Sequence, residues 1–149
     1  MEENMILLLK QLSLALEQRG RDRLKHSELS PSQSFVLDYL FSQQDGAVYA
    51  AKLRAKLGLS KSALSSLLKD LQKKGYLEML LNPEDDREKR LFLTPKAYAI
   101  RRELYAALEE QQRQLCRGLS PHQLEICKYG LHKMLENLSA NPQGGHQLW

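Results

Sequence analysis

Two cysteines in 149 residues, Cys116 and Cys127, are too few and too far apart for a disulfide framework or a CxxC zinc site, and they read as reduced core thiols. Aromatic residues make up only 7% of the chain, so a core has to be built from aliphatic side chains. The Leu, Ala, Gln, Glu, Lys and Arg that dominate long stretches favour helices. No apolar run approaches the roughly 18 residues of a membrane span. The N-terminal MEENMILLLK sets acids ahead of a short apolar run and has no small-residue cleavage site, so a cytoplasmic protein with no membrane association is expected. There is no Gly-rich phosphate loop and no Ser/His/Asp set, and His26, His122, His132 and His146 are too dispersed to suggest a metal site. These absences remove the common enzyme classes, and no cofactor is expected. A net charge of +4 fits attraction to a polyanion but is equally common among proteins that touch none.

What is present is a series of helix punctuation marks. Met5, Leu9, Leu12 and Leu16, with Leu8 beside them, form one apolar stripe of a first helix, which Gly20 and the basic Arg21, Arg23 and Lys25 interrupt or end. Ser30-Pro31-Ser32-Gln33 opens a second helix with a serine cap, a first-turn proline and a capping-box glutamine, and this helix should bury Phe35, Val36, Tyr39 and Leu40. After the Asp45-Gly46 turn, Ala47-Val48-Tyr49 is a minor strand or an extended lead-in. Ala50 to Gly58 reads as a short helix, and Ser60 caps another from about Lys61 to Lys74 that stops at Gly75. Two short helices joined by a glycine-containing turn are a helix-turn-helix signature.

Beyond Gly75 the period changes to two. Leu77, Met79 and Leu81, then Leu91 and Leu93, alternate with other residues as two strands of a hairpin, whose tip is the charged run from Asn82 to Lys89. Thr94-Pro95 caps a long helix to about Arg117. Ser120-Pro121-His122-Gln123 opens the last one, where Leu124, Cys127, Leu131, Met134 and Leu138 step three, four, three, four along a seam. Residues 139–149 read as a mobile tail. The fold class is mainly α with a small β-hairpin, and the two aliphatic chain ends suggest a homodimer.

A cap-defined helix pair, a charged hairpin tip carrying Asp85-x-Arg87, and then Leu91-x-Leu93-Thr94 at the start of a long helix resemble the MarR family, whose wing reads Pro-x-Asp-x-Arg before a Leu-Thr. The resemblance runs from the second helix to the last. It implies a winged helix-turn-helix module over 29–95, dimerisation helices over 1–28 and 96–138, and a ligand-responsive repressor that binds double-stranded DNA at a palindromic operator. The family often has a glycine shortly after Leu-Thr, an arginine in the Gly-Leu-x-x-Arg run and an arginine in the recognition helix. This chain has Ala97, Met79 and Ser66 there, so its operator cannot be borrowed from a relative.

In the helix from Lys61, with Leu64, Leu67, Leu68 and Leu71 turned to the core, Lys61, Ser62, Ser65, Ser66 and Lys69 face outward. Small hydroxyls let a helix sit deep in a major groove while lysines meet phosphates, yet the same residues also make an ordinary solvated face. Arg87, Lys89 and Arg90 offer a minor-groove or phosphate contact from the wing, opposed by Glu84, Asp85, Asp86 and Glu88. Resemblance to the family gives Asp85 a supporting role in the wing; by itself the loop reads equally as a solvated charge run. The resemblance also implies a crevice for a small aromatic or anionic effector, with Arg23, His26 and Tyr39 as candidates, though these residue types more often serve packing or surface. The competing reading is a dimeric protein-interaction module that has lost operator binding, suggested by Ser66, Met79 and the acidic wing.

Overall fold

The first helix, α1 (Met5–Arg23), runs straight through Gly20. That glycine does not end the helix as its position suggests: a Cβ there would come within 2.9 Å of the Pro31 ring, so its bareness lets the start of the next helix approach α1. The computed structural model describes residues 3–23, 28–43, 46–82 and 84–139, with the side chains at 23, 82 and 85–88 excepted.

At α2 (Pro31–Ser42) the Ser30 hydroxyl accepts the Gln33 N–H at 3.2 Å, and the Gln33 side-chain oxygen accepts the Ser30 N–H at 3.0 Å. Pro31 occupies the first turn, where its missing N–H costs nothing. The helix buries Gln33, Ser34, Val36, Leu37, Leu40 and Phe41. Phe35, expected inside, is 49% exposed, because the inward stripe through 33, 37, 40 and 41 puts it on the far side of the helix.

Strand β1 (Ala47–Tyr49), helix α3 (Ala50–Leu57) and helix α4 (Lys61–Lys73) follow. Gly58, at φ 67°, closes α3 in the left-handed conformation, and the Ser60 hydroxyl caps α4 by accepting the Ala63 N–H. At the end of α4 the Tyr76 N–H reaches the Leu71 carbonyl and the Gly75 N–H reaches Gln72, each at 3.0 Å. With Gly75 at φ 87° and Tyr76 and Leu71 both in the core, this is a Schellman closure with its hydrophobic contact.

Strands β2 (Leu77–Asn82) and β3 (Asp85–Leu93) form the hairpin, and β1 adds to its other side, giving the antiparallel order β1-β3-β2. The minor segment Ala47–Tyr49 is therefore a strand, paired through Val48 to Leu91, which faces Met79 across β2. The charged tip is also more ordered than a loop. Between the Leu81–Lys89 and Asn82–Asp85 pairs β2 advances one residue and β3 advances four, so residues 86–88 form a bulge with Arg87 at its middle.

Thr94 caps α5 (Pro95–Ala99), which the sequence reads as the start of one continuous helix. The helix instead breaks at Ile100, whose N–H bonds only three residues back to Ala97, before α6 (Arg101–Cys116) resumes. The chain closes with α7 (Pro121–Ser139) behind a second capping box, Ser120 with Gln123.

By its internal contacts the chain divides into two compact units, Met1–Gln111 and Gln112–Trp149. The core belongs to the first and gathers Val36, Leu37 and Leu40 of α2, Leu53 of α3, Leu64, Leu68 and Leu71 of α4, and Leu77, Leu91 and Leu104. In the second, α7 has no buried residue. Cys127 is exposed and Cys116 half-buried, so neither is the core thiol that the sequence suggests.

Gly46 sits at φ 60° beside the Tyr98 hydroxyl, with which a Cβ would collide. Tyr98 in turn tilts against Phe41, ring centroids 5.7 Å apart. Gly46→Ala is expected to lower stability by about 1–2 kcal/mol for the left-handed backbone alone, and adding Tyr98→Phe should recover only the part due to the hydroxyl. Denaturant midpoints of the two variants measure the split.

Candidate nucleic-acid interface

Helix α4 separates its residues cleanly. Leu64, Leu68 and Leu71 are buried while Lys61, Ser62, Ser66 and Lys69 are exposed and Ser65 half-exposed, so the five expected outward residues share one side; Leu67 is only partly covered. The Ser62 hydroxyl lies 3.4 Å from that of Ser60. Ala63, also exposed, keeps the surface between the serines low, which suits close approach to a groove floor. The preceding helix, α3, exposes Lys52, Arg54 and Lys56, three cations that no motif in the sequence marks.

The wing presents a different picture at each of its basic residues. Arg90 lies well back from the tip, paired across the sheet with Leu80 on one side and Tyr49 on the other. Its guanidinium stacks 5.1 Å from the Phe92 ring centre and 6.0 Å from that of Tyr49. It is thus held over an aromatic shelf, an arrangement invisible in sequence because Tyr49 is some forty residues away. Lys89 is half-buried beside it. Arg87 and Asp85 have backbone positions in β3, but their side chains lie outside the described residues, and so does any contact between them.

The far end of α4 is pinned. Lys74 Nζ is 3.0 Å from Asp70 Oδ2, and Gln33 Nε2 donates to the same oxygen at 2.5 Å. The Gln33 hydrogen bond first, and then Lys74, hold the Asp70 carboxyl below its ordinary value. On the other side the Lys74 carbonyl accepts from Lys96 Nζ, and the Gly75 carbonyl accepts from Thr94 Oγ1 at 2.6 Å. The N-terminal half of α4 projects from this anchored end.

Of the candidate effector residues, Tyr39 is half-buried against the core, Arg23 ends α1 with its side chain outside the described residues, and His26 lies wholly outside them. Open cavities among the described residues of the first unit include the following two. One, of about 510 Å³, runs between Arg21, Gln33, Ser66 and Asp70; the other, of about 580 Å³, lies between Tyr98, Arg101, Arg102, Tyr105 and Glu109. Tyr39 lines neither. In the second cavity Arg101 stacks on Tyr105 at 5.5 Å and on Phe41 at 5.3 Å, so rings and guanidiniums share one wall. No helix of the described residues is long and apolar enough to cross a membrane, and no cluster of metal-ligating side chains occurs among them.

The MarR family model matches residues 27–88, the stretch from the approach to α2 into the wing. An uncharacterised HTH-type transcriptional regulator of Bacillus subtilis, YsmB, is 25% identical over 126 residues, 85% of each chain. Among solved structures, MepR of S. aureus in complex with DNA superposes with a TM-score of 0.82 at 23% identity, over 91% of this chain and 99% of that one. BpsR of Bordetella bronchiseptica, whose DNA binding is regulated by 6-hydroxynicotinic acid, gives 0.78 at 22%, over 90% and 94%. The winged-helix fold expected from the sequence is thereby met, with the long helix after the wing divided at Ile100.

Proposed function

We propose that this chain is a winged helix-turn-helix regulator of the MarR family, whose model matches residues 27–88, and that it binds double-stranded DNA as a homodimer and represses transcription from a palindromic operator. The observation that carries the reading is the two-sided α4: leucines anchor one side, and Lys61, Ser62, Ser65, Ser66 and Lys69 stand outward on the other, ahead of a bulged two-stranded wing. Such a helix enters a major groove with hydroxyls at base edges and lysines at phosphates, while Arg87 and Lys89 follow the backbone or the minor groove. Arg90, held on its aromatic shelf, serves at the flank.

Residues 1–28 and 96–138 supply the dimer contacts in this reading. Met5, Ile6, Leu7, Leu12 and Leu14 of α1 are exposed, as are Ile126, Tyr129, Leu131, Leu135 and Leu138 of α7. Apolar patches of that extent on a small chain call for a partner. A two-fold dimer then sets two recognition helices one turn of DNA apart, so inverted half-sites should lie about 10 base pairs apart, centre to centre.

Regulation by a small aromatic or anionic molecule is supported by the cavity of Tyr98, Arg101, Arg102 and Tyr105, whose rings and guanidiniums suit a planar anion. Arg23, His26 and Tyr39 remain the candidates from sequence.

Selection of bound sequences from random duplexes, followed by titration of the winner at several salt concentrations, tests the whole reading. Expected are an inverted repeat and binding that falls steeply with salt, by a log–log slope of about −0.9 per phosphate met. Direct repeats would break the two-fold model. No binding even at low salt would favour a protein-interaction module built on the same frame.

A further inference from the structure

The geometry points to Lys74 as a positioning residue: with Gln33 and Asp70 it latches the C-terminal end of α4 to the start of α2, and the latch sets the angle at which the recognition helix meets DNA. This rests on the DNA-binding reading above.

The ammonium has three protons to donate, and three acceptors surround it. These are the Glu28 carbonyl at 2.5 Å, Gln33 Oε1 at 3.3 Å and Asp70 Oδ2 at 3.0 Å. They come from the segment before α2, the first turn of α2 and the last turns of α4. Gln33 is 3% exposed and its amide is engaged at both ends: the oxygen also accepts the Ser30 N–H, and the nitrogen donates to Asp70. The capping glutamine of α2 therefore fixes Asp70 and Lys74 as well. Glu28 is held at φ 59°, a left-handed conformation that a non-glycine residue keeps only where its surroundings demand it, and Lys74 takes its carbonyl.

Lys74 also stands between two attachments. Its side chain ties α4 to α2, while its own carbonyl and that of Gly75 are tied to the start of α5 by Lys96 and Thr94. From Lys74 to Ser62 the helix rises about 18 Å, so a tilt of about 10° at the anchored end displaces the reading end by about 3 Å. That displacement exceeds the tolerance of a hydrogen bond to a base edge, whereas a lysine on a flexible stem can still follow a phosphate. Loosening the latch should thus cost sequence preference and spare non-specific affinity.

The test compares the full chain with Lys74→Met, Asp70→Asn and the double variant, on the selected operator and on an unrelated duplex. Both side chains are partly exposed, 25% and 47%, so the variants should fold. Each single change is expected to weaken operator binding about fivefold while leaving the unrelated duplex and the salt slope unchanged, and the double should be no worse than the poorer single, as for groups acting as one unit. Without DNA, Lys74→Met should speed amide exchange at Ser34 in α2 as well as at Gly75, because the two ends are linked. Uniform weakening on both duplexes with a shallower salt slope would make Lys74 a phosphate contact and overturn the latch. Unchanged exchange at Ser34 would overturn it too, whatever the DNA result. A wild-type chain with no preference among duplexes sinks the DNA-binding reading instead, and is told apart from failure of the latch by that exchange measurement.

Discussion

Leu131→Asp is expected to leave the chain folded but monomeric, and to weaken operator binding by at least about a hundredfold. Leu131 is 43% exposed on α7, where Ile126, Leu135 and Leu138 are more exposed still. A carboxylate there disturbs no core of its own chain, so helical circular dichroism should survive. In a dimer the same carboxylate would be buried on an apolar seam without a partner, which costs several kcal/mol. Affinity then falls because each half-site must be bound separately: joining two readers converts the second contact into an intramolecular event, a gain of about 10²–10⁴ that the monomer forfeits. Light scattering and a duplex titration on the same sample decide the matter. A stable dimer of the Leu131→Asp variant would remove α7 from the interface and leave it to α1 and the helices between 96 and 116.

Arg87→Ala should weaken binding to all duplexes alike by about a hundredfold. A loss of about 1.4 kcal/mol per wing is tenfold, and a homodimer carries the change twice. The salt slope should become shallower by about one per wing. Arg87 occupies the middle of the bulge in β3, where residues 86–88 have no counterpart on β2, so its backbone is set apart from the regular ladder. Asp85 pairs with Asn82 at the end of that bulge. If Asp85 supports the wing, Asp85→Ala should weaken binding too, although removing a negative charge would by attraction alone strengthen it. Tighter binding by that variant would show that the wing carboxylates only repel DNA.

What could be read from the sequence was what local bonds decide. The caps at Ser30, Ser60, Thr94 and Ser120 each close within three residues, and each is present. Gly58 and Gly75 end their helices as expected because a left-handed residue is a local requirement. Failures begin where distant segments choose. Phe35 is as apolar as Leu37, and only packing against α4 and β3 decides which of them turns inward. Gly20 looks like a stop until Pro31 is seen against it, and the break at Ile100 has no proline or glycine to announce it. At the candidate interface the outward side of α4 followed from its leucine period, but the stacking of Arg90 on Tyr49 and the contacts of Gln33 with Asp70 and Lys74 join residues 37 or more positions apart. No spacing rule reaches that far.

The two sides of α4 also bear on how a DNA-binding chain of this build could change its target. Leu64, Leu68 and Leu71 are committed to the core, whereas Lys61, Ala63, Ser66 and Lys69 are exposed and support little else. Surface exchanges of that kind usually alter stability by less than about 0.5 kcal/mol, while one good hydrogen-bonded pairing with a base edge shifts preference by about 1–3 kcal/mol. If α4 reads base edges as proposed, new sequence preferences can be sampled by single substitutions at almost no thermodynamic penalty, and duplicated copies of this chain would be free to diverge in their targets while keeping one scaffold.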